Sequence, residues 1–198
     1  MSNYLTCLML NTLLIAFVAC DDENPEPEDT VLEVNTVEDL MADGQYAYYD
    51  LEEGTIVSST DSASTKWDLA FRNTTILVNG GTSGLGQAAA QVVEGIFEEL
   101  EEAPADGYQQ DTEAGPAIQG WYTYTGQTGT PAHAVLIAPG KVIMLKTADG
   151  NYAKVEVLSY YKGNPDTSTD EFADTDTRAD DRYYTFRYVI QPDGSRNF

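Results

Sequence analysis

The 198-residue chain has very few cysteine and histidine residues. Its two cysteines, Cys7 and Cys20, both lie at the start of the sequence, so the rest of the chain cannot form an internal disulfide and must be stabilised by its hydrophobic core. His133 is the single histidine. A Cys/His pair lacks a cysteine after Cys20, and no Ser/His/Asp arrangement is recognisable around His133, so we predict that the protein is not an enzyme.

Positive charge is scarce as well. The chain has 10 lysine and arginine residues against 33 aspartate and glutamate residues, which gives a net charge of −23. Nucleic-acid binding requires a basic surface, so this composition excludes nucleic acid as a partner. Anionic lipid headgroups would repel such a surface for the same reason. We expect any membrane association to depend on a lipid anchor.

The uncharged segment 1–19 contains an apolar stretch, Leu8–Ala19, that is too short to span a bilayer. This pattern is typical of a signal-peptide core. The segment Phe17–Cys20 resembles the cleavage site of bacterial lipoproteins, in which the cysteine becomes the lipidated N-terminus. We predict a lipoprotein signal peptide over residues 1–19 and lipidation of Cys20; a non-lipidated leader or a misplaced start codon is the alternative.

The segment after Cys20 is acidic and rich in proline. Asp21–Thr30, DDENPEPEDT, has little apolar surface to bury, so we predict a tether over residues 20–30 and one domain over residues 31–198. Acidic residues directly after a lipidated cysteine resemble the surface-export signal of Bacteroidetes lipoproteins. This implies a cell-envelope protein that is anchored in the outer membrane and exposed at the surface. A plain linker is the alternative.

The clearest pattern in the chain is the segment Trp67–Gly86, WDLAFRNTTILVNGGTSGLG. Trp67, Leu69 and Phe71 alternate with Asp68 and Ala70 in the sequence, which predicts a strand with three large side chains facing the core. A β-branched run follows and predicts a second strand. Four glycines then occur within seven residues, so the backbone must turn tightly or approach another group closely.

The glycine-rich part, Asn79–Gly86, has two interpretations. It is similar to the phosphate-binding turn of a short-chain dehydrogenase, or it is a turn in an all-β protein. The dehydrogenase turn follows the first strand of its domain, whereas a clear strand precedes this one and only about 110 residues follow it. The later lysines also lack the tyrosine four residues upstream that this class requires. We therefore favour the all-β interpretation.

Further short strands are predicted along the chain, in order Gly44–Asp50, Ile56–Val57, Thr75–Val78, Trp121–Tyr124, His133–Ile137, Lys141–Thr147, Asn151–Tyr160 and Arg182–Gln191. The segment Ala88–Glu102 is ambiguous, because its apolar residues have helical spacing but also suit a strand. Its local pattern slightly favours a helix. Many short strands separated by glycine-rich turns predict an all-β protein.

Four segments together resemble one protein family. WDLAF, NGGTSGLGQ, TADGNYAKVEVLSYYKGNP and RYYTFRYVIQPDGS are similar, in order and spacing, to the HmuY family of Bacteroidetes haem-binding lipoproteins. The resemblance implies an antiparallel all-β domain that captures haem for uptake through an outer-membrane receptor. It also implies that Gln91–Phe97 is a strand. The alternative function is a surface interaction or structural lipoprotein on the same fold that binds no haem.

In this family two axial side chains, His or Met, hold the haem iron. By resemblance, the first ligand belongs to an insertion that corresponds here to Ala103–Gly120, which contains neither residue type. The second ligand falls near Gly126, which cannot ligate. His133, seven residues further on, is the predicted metal ligand, with hydrogen bonding at a strand edge as the alternative. Trp121 and Tyr124 are predicted to stack on the haem or, alternatively, to pack in the core.

Two other groups of residues resemble ligand sets. Met144 lies in the middle of an apolar run, so core packing is predicted rather than iron ligation. The loop Asp170–Asp181 is rich in carboxylates, but its spacing matches no calcium-binding loop and the glycine of the sharp turn is missing. We predict a solvated loop there.

Overall fold

The computed structural model describes residues 32–198. The predicted signal peptide, the lipidation site at Cys20 and the predicted tether lie outside the described residues. Within them the strands, in chain order, are β1 (Asn35–Met41), β2 (Ala47–Asp50), β3 (Thr55–Val57), β4 (Leu69–Arg72), β5 (Thr75–Val78), β6 (Ala89–Glu94), β7 (Tyr122–Tyr124), β8 (Val135–Ile137), β9 (Lys141–Lys146), β10 (Tyr152–Tyr161) and β11 (Asp181–Gln191).

These strands form two large sheets and a small ribbon. The five-stranded sheet has the order β1-β11-β10-β9-β6, and the four-stranded sheet has the order β3-β2-β4-β5. Strands β7 and β8 pair only with each other. All pairs of neighbouring strands are antiparallel. The prediction of an antiparallel all-β domain is confirmed.

The main core lies between the two large sheets. Leu69 and Phe71 of β4 are fully buried, as their alternation predicts. The Phe71 ring stacks on Phe186 of β11 with 5.2 Å between the ring centroids. Tyr184, two residues earlier on β11, lies 4.9 Å from the same ring. Burial of these aromatic rings against one another stabilises the packing of the two sheets.

A smaller apolar cluster covers the opposite face of the five-stranded sheet. Phe97, Val142, Met144 and Val189 are buried there. The predicted core position of Met144 is confirmed. The ammonium group of Lys154 lies in the same region and donates a hydrogen bond to the Phe97 carbonyl oxygen at 2.9 Å. Burial lowers the pKa of this lysine, because desolvation disfavours its charged form.

The glycine-rich segment connects β5 to β6 and begins no helix. A Cβ atom on Gly80 would collide with the carbonyl oxygen of Ala88, and one on Gly84 would collide with the side chain of Asn79. Asn79 is fully buried, and its Oδ1 accepts a hydrogen bond from the Gly86 amide at 3.0 Å. The glycines are therefore needed for close backbone approach. The segment offers no helix N-terminus for a phosphate group.

The local expectation of a helix over Ala88–Glu102 is wrong. The residues of β6 pair with β9 from Ala89–Lys146 to Glu94–Lys141, and a short 3-10 helix follows at Phe97–Glu99. Pairing with β9 satisfies the backbone and buries the small side chains at the start of β6, which outweighs the helical spacing. The strand implied by the family resemblance is confirmed as far as Glu94.

The polar segment between β10 and β11 contains one short helix, α1 (Asp170–Ala173). Thr169 caps it, because its Oγ1 accepts a hydrogen bond from the Phe172 amide at 3.2 Å. Phe172 is buried, with its ring centroid 4.8 Å from that of Tyr161 on β10. This aromatic contact holds the segment against the sheet. No helix in residues 32–198 has the length and apolar character needed to cross a membrane.

Candidate functional site

The β7–β8 ribbon positions the aromatic side chains that the sequence analysis selects. Tyr122 pairs with Ile137, and Tyr124 pairs with Val135. The Val135 amide donates a hydrogen bond to the Tyr161 hydroxyl oxygen at 2.9 Å, which fixes the ribbon to β10. Tyr124 is 56% exposed. The ribbon therefore presents the Tyr124 ring to solvent from a firmly attached strand.

The turn between β7 and β8 brings His133 back to Tyr124. Thr125 Oγ1 accepts a hydrogen bond from the Ala134 amide at 2.8 Å, and the His133 amide donates one to the Gly126 carbonyl oxygen at 2.7 Å. His133 has a φ of 52°, in the left-handed region. This backbone places the His133 Nδ1 atom 2.8 Å from the Tyr124 hydroxyl oxygen. The exposed tyrosine and the single histidine thus form one hydrogen-bonded pair.

A positively charged side chain lies beside this pair. The Arg178 guanidinium donates a hydrogen bond through Nη1 to the His133 carbonyl oxygen at 3.3 Å. Its Nε donates to the Phe172 carbonyl oxygen at 2.8 Å, which links the arginine to α1. The chain has a net charge of −23, so its surface as a whole repels anionic ligand groups. The Arg178 cation makes the place beside the pair more favourable for such a group.

Trp121 packs mainly in the core, and it also borders the groove beside Tyr124. It is only 2% exposed, and its ring centroid lies 4.6 Å from Tyr122 and 5.5 Å from Tyr184. The structure therefore favours the packing alternative for this residue. A groove of about 430 Å³ does run along the exposed side of the ribbon, between Tyr124 and the start of β5 at Thr75.

A buried carboxylate, that of Asp111, fixes the segment Ala103–Gly120, which by resemblance corresponds to the region of the family's first ligand. Asp111 is 2% exposed, and its Oδ2 accepts a hydrogen bond from the Val78 amide at 3.0 Å. Its Oδ1 accepts one from the Ala117 amide at 2.7 Å. This segment closes the end of β5 and contributes Ile118 to the core. It serves the fold and brings no histidine or methionine toward the ribbon.

The acidic residues cluster elsewhere than the sequence suggests. Within residues 32–198, the group of three acidic side chains close enough to share a cation is Asp50, Glu52 and Asp68, whose nearest carboxylate oxygens lie within 4.8 Å of one another. Asp68 already accepts hydrogen bonds from the Leu51 amide at 2.9 Å and the Ala148 amide at 2.8 Å. This cluster therefore joins the two sheets, and the loop around α1 forms no such group.

Sequence reasoning selected Tyr124 and His133 separately and missed that they are partners. Their contact depends on the turn geometry, in particular on the left-handed backbone at His133 and on the Thr125 hydrogen bonds. The sequence signal for their contact is the pairing of two short strands as a hairpin, since Tyr124 lies opposite Val135, two residues after His133. Arg178 was missed because it is distant in sequence.

Comparison with known proteins identifies the fold family. The family model described as HmuY protein matches residues 43–172, which is more than half of the chain. The chain belongs to the HmuY family. Comparison with curated proteins gives no significant match.

Several solved structures share this fold at low sequence identity. The apo HmuY analogue of Tannerella forsythia is 17% identical, with a TM-score of 0.53, and the match covers 82% of this chain and 96% of that one. Apo PinO from Porphyromonas gingivitis is 16% identical, with a TM-score of 0.55 and coverage of 80% and 97%. A candidate lipoprotein of Bacteroides fragilis is 17% identical, with a TM-score of 0.52 and coverage of 81% and 91%. At these sequence identities, the structural similarity establishes the fold of this chain.

Proposed function

We propose that this protein is a lipid-anchored protein of the cell envelope that binds haem at the β7–β8 ribbon and delivers it to an outer-membrane receptor. The observation that carries the proposal is the exposed Tyr124–His133 pair, joined at 2.8 Å, in a chain of the HmuY family. Family membership supports haem binding at a general level. The pair supports the β7–β8 ribbon as the location of the binding.

The donor groups of the ribbon fit haem. Imidazole and phenol side chains both serve as axial ligands of haem iron in proteins. Bound haem supplies an iron ion with axial coordination positions and two anionic propionate groups. The Tyr124–His133 pair would supply the protein ligand of the iron, the groove beside Tyr124 would accept part of the macrocycle, and Arg178 offers a positive group for a propionate.

The position of His133 also agrees with the family resemblance. The resemblance places one family ligand near Gly126, and the His133 amide is hydrogen-bonded to the Gly126 carbonyl oxygen. Although seven residues separate the two in sequence, the imidazole lies in the same part of the fold. With no histidine or methionine in the other ligand region, we expect weaker haem binding than in a relative with two histidine ligands.

A haem titration followed by absorbance tests the proposal. Adding ferric haem to the purified protein should give a saturable Soret shift at one equivalent. The double variant Tyr124→Phe/His133→Asn should lose this shift; asparagine is chosen because it tolerates the left-handed backbone at position 133. Tyr183→Phe is the matched control, since the Tyr183 hydroxyl contacts Met41 and lies away from the ribbon.

The titration can also reject the proposal. A wild-type protein that gives no saturable shift would overturn haem binding and favour the non-haem surface lipoprotein on the same fold. A double variant that binds haem as the wild type does would move the site away from the ribbon.

A further inference from the structure

The direction of the hydrogen bond between Tyr124 and His133 determines which atom is free to ligate a metal. If the phenol O–H donates to Nδ1, the imidazole carries its own proton on Nε2 and has no lone pair left for iron. If Nδ1–H donates to the phenol oxygen, Nε2 is free. A phenol is a strong donor and a neutral imidazole nitrogen is a strong acceptor, so the first arrangement is chemically favoured at the 2.8 Å separation.

We propose that Tyr124 Oη, rather than His133 Nε2, is the protein ligand of the haem iron, and that His133 is a positioning residue that accepts the phenol hydrogen bond. This inference rests on the proposed haem binding. It reverses the roles that the sequence alone suggests, in which the histidine ligates and the tyrosine stacks.

The placement of the two side chains supports Tyr124 as the ligand. Tyr124 belongs to strand β7, which is fixed to β8 by a three-residue register, whereas His133 belongs to the turn. The exposed Tyr124 side chain lines the groove of about 430 Å³ beside the ribbon, and His133 does not line it.

The charge of the site supports the same assignment. Ferric iron is a hard cation, and a phenolate is a harder, anionic donor than an imidazole. With haem bound, Tyr124 Oη would hold the iron as a phenolate and its proton would pass to His133 Nδ1, so no proton would be lost to solvent. His133 would then compensate the phenolate charge, in a surface that is otherwise acidic.

A spectroscopic experiment separates the two ligand assignments. Resonance Raman spectra of the ferric haem complex should contain phenolate vibrations, and Tyr124→Phe should abolish them and weaken haem binding. His133→Asn should keep the phenolate vibrations but weaken binding by about 10–100-fold, as removal of a ligand's hydrogen-bond partner does. Tyr183→Phe should match the wild type. A wild-type complex without phenolate vibrations, or a Tyr124→Phe complex with unchanged spectrum, overturns the inference.

The protein without haem provides a second, independent test. Because His133 is the single histidine, a sample labelled with 15N-histidine gives one pair of ring nitrogen signals in NMR. The Nε2–H tautomer is expected in the wild type, with a shift of the Nδ1 signal in Tyr124→Phe. Observation of the Nδ1–H tautomer overturns the inference even if haem binds. Failure of the wild type to bind haem would instead overturn the proposed function, so the two failures are distinguishable.

Discussion

At the scale of single residues, Asp68 has the most unusual environment in the described part of the chain. It lies before β4 of the four-stranded sheet and accepts the Ala148 amide from the β9–β10 turn of the other sheet. Glu52 faces it and accepts a hydrogen bond from Thr147 Oγ1 at 2.8 Å. The pKa of Asp68 is raised to about 8. Burial is the largest cause, and repulsion from the Glu52 carboxylate is the second. Below about pH 8, Asp68 in the folded chain therefore carries a proton beside Glu52.

This proton makes stability depend on pH. In the unfolded chain Asp68 has an ordinary pKa near 3.8, and in the folded chain it is about 8. Between these values the folded state binds a proton that the unfolded state does not, so the free energy of unfolding falls as the pH rises. The stabilisation is complete below pH 4 and is lost as the pH passes through 8. Urea melts from pH 5 to 9 should show this decline.

Glu52→Gln tests the cause of the decline. Glutamine removes the charge that faces Asp68 and can still accept the Thr147 hydrogen bond. The free energy of unfolding should therefore decline less steeply with pH. Part of the decline should remain, because the burial of Asp68 is unchanged. The matched control is Glu53→Gln, which removes one exposed charge next in sequence. Equal slopes in both variants would show that general charge repulsion, rather than the Glu52–Asp68 contact, sets the pH dependence.

At the scale of elements, the glycine-rich connection between β5 and β6 is the most constrained. Gly80 has an ordinary backbone conformation, but its Cα faces the Ala88 carbonyl group without room for a Cβ. Gly80→Ala should therefore destabilise the protein by about 1–3 kcal/mol or more, because the backbone must shift to relieve the overlap.

Gly44→Ala is the control for Gly80→Ala. Gly44 has a φ of 76° and no atom within 4 Å of the added Cβ, so alanine there adds only the strain of the left-handed conformation. Both variants are compared by urea denaturation. A Gly80→Ala protein that is no less stable than Gly44→Ala would show that the segment adapts easily. The close approach of Gly80 to Ala88 would then not constrain the fold.

The elements also show what can be predicted from sequence and what cannot. Strands β9, β10 and β11 were predicted to within about two residues, because long apolar or alternating runs bounded by turns are strong local signals. Strand β1 was missed. Its pairing with β11 shifts register between Val37 and Leu40, and Asp39 has a φ of 52°. A bulge with a left-handed residue breaks the period of two, so no alternation is visible in the sequence.

The candidate site was less predictable than the fold, for a related reason. Tyr124 was selected as an aromatic ring that could stack on haem, and His133 as the single imidazole that could hold its iron. Their hydrogen bond depends on the turn conformation between β7 and β8, which no periodic pattern encodes. Core packing of Trp121 was one of two alternatives open from the sequence, since an aromatic strand next to a groove and one in the core have the same local sequence.

At the scale of the whole molecule, the first prediction concerns attachment to the membrane. The segment before residue 32 lies outside the described residues, so the anchor remains a prediction from the sequence. Cys20→Ser should release the protein from the membrane fraction, because the lipid is the expected means of attachment. Fractionation of cells expressing each form measures this. A serine variant that stays with the membranes to the same extent as the wild type would contradict lipidation at Cys20.

The net charge of −23 leads to a second prediction, about the rate of haem binding. Ferric haem is itself anionic, since its two propionates outweigh the excess charge of the iron centre, so the protein as a whole repels it at long range. Raising the ionic strength from 0.01 to 0.15 M shortens the Debye length from about 30 to about 8 Å and screens this repulsion. The association rate constant, measured by stopped-flow absorbance, should therefore increase with salt.

Haem with esterified propionates is the control for this experiment, because its net charge is positive. The same acidic surface attracts it, so its association rate should decrease with salt. Arg178 lies close to the Tyr124–His133 pair and acts at short range, where salt screens less effectively. If unmodified haem also associates more slowly as salt is added, the field near the ribbon is positive despite the net charge. The local arginine, rather than the acidic surface as a whole, would then govern the approach of the ligand.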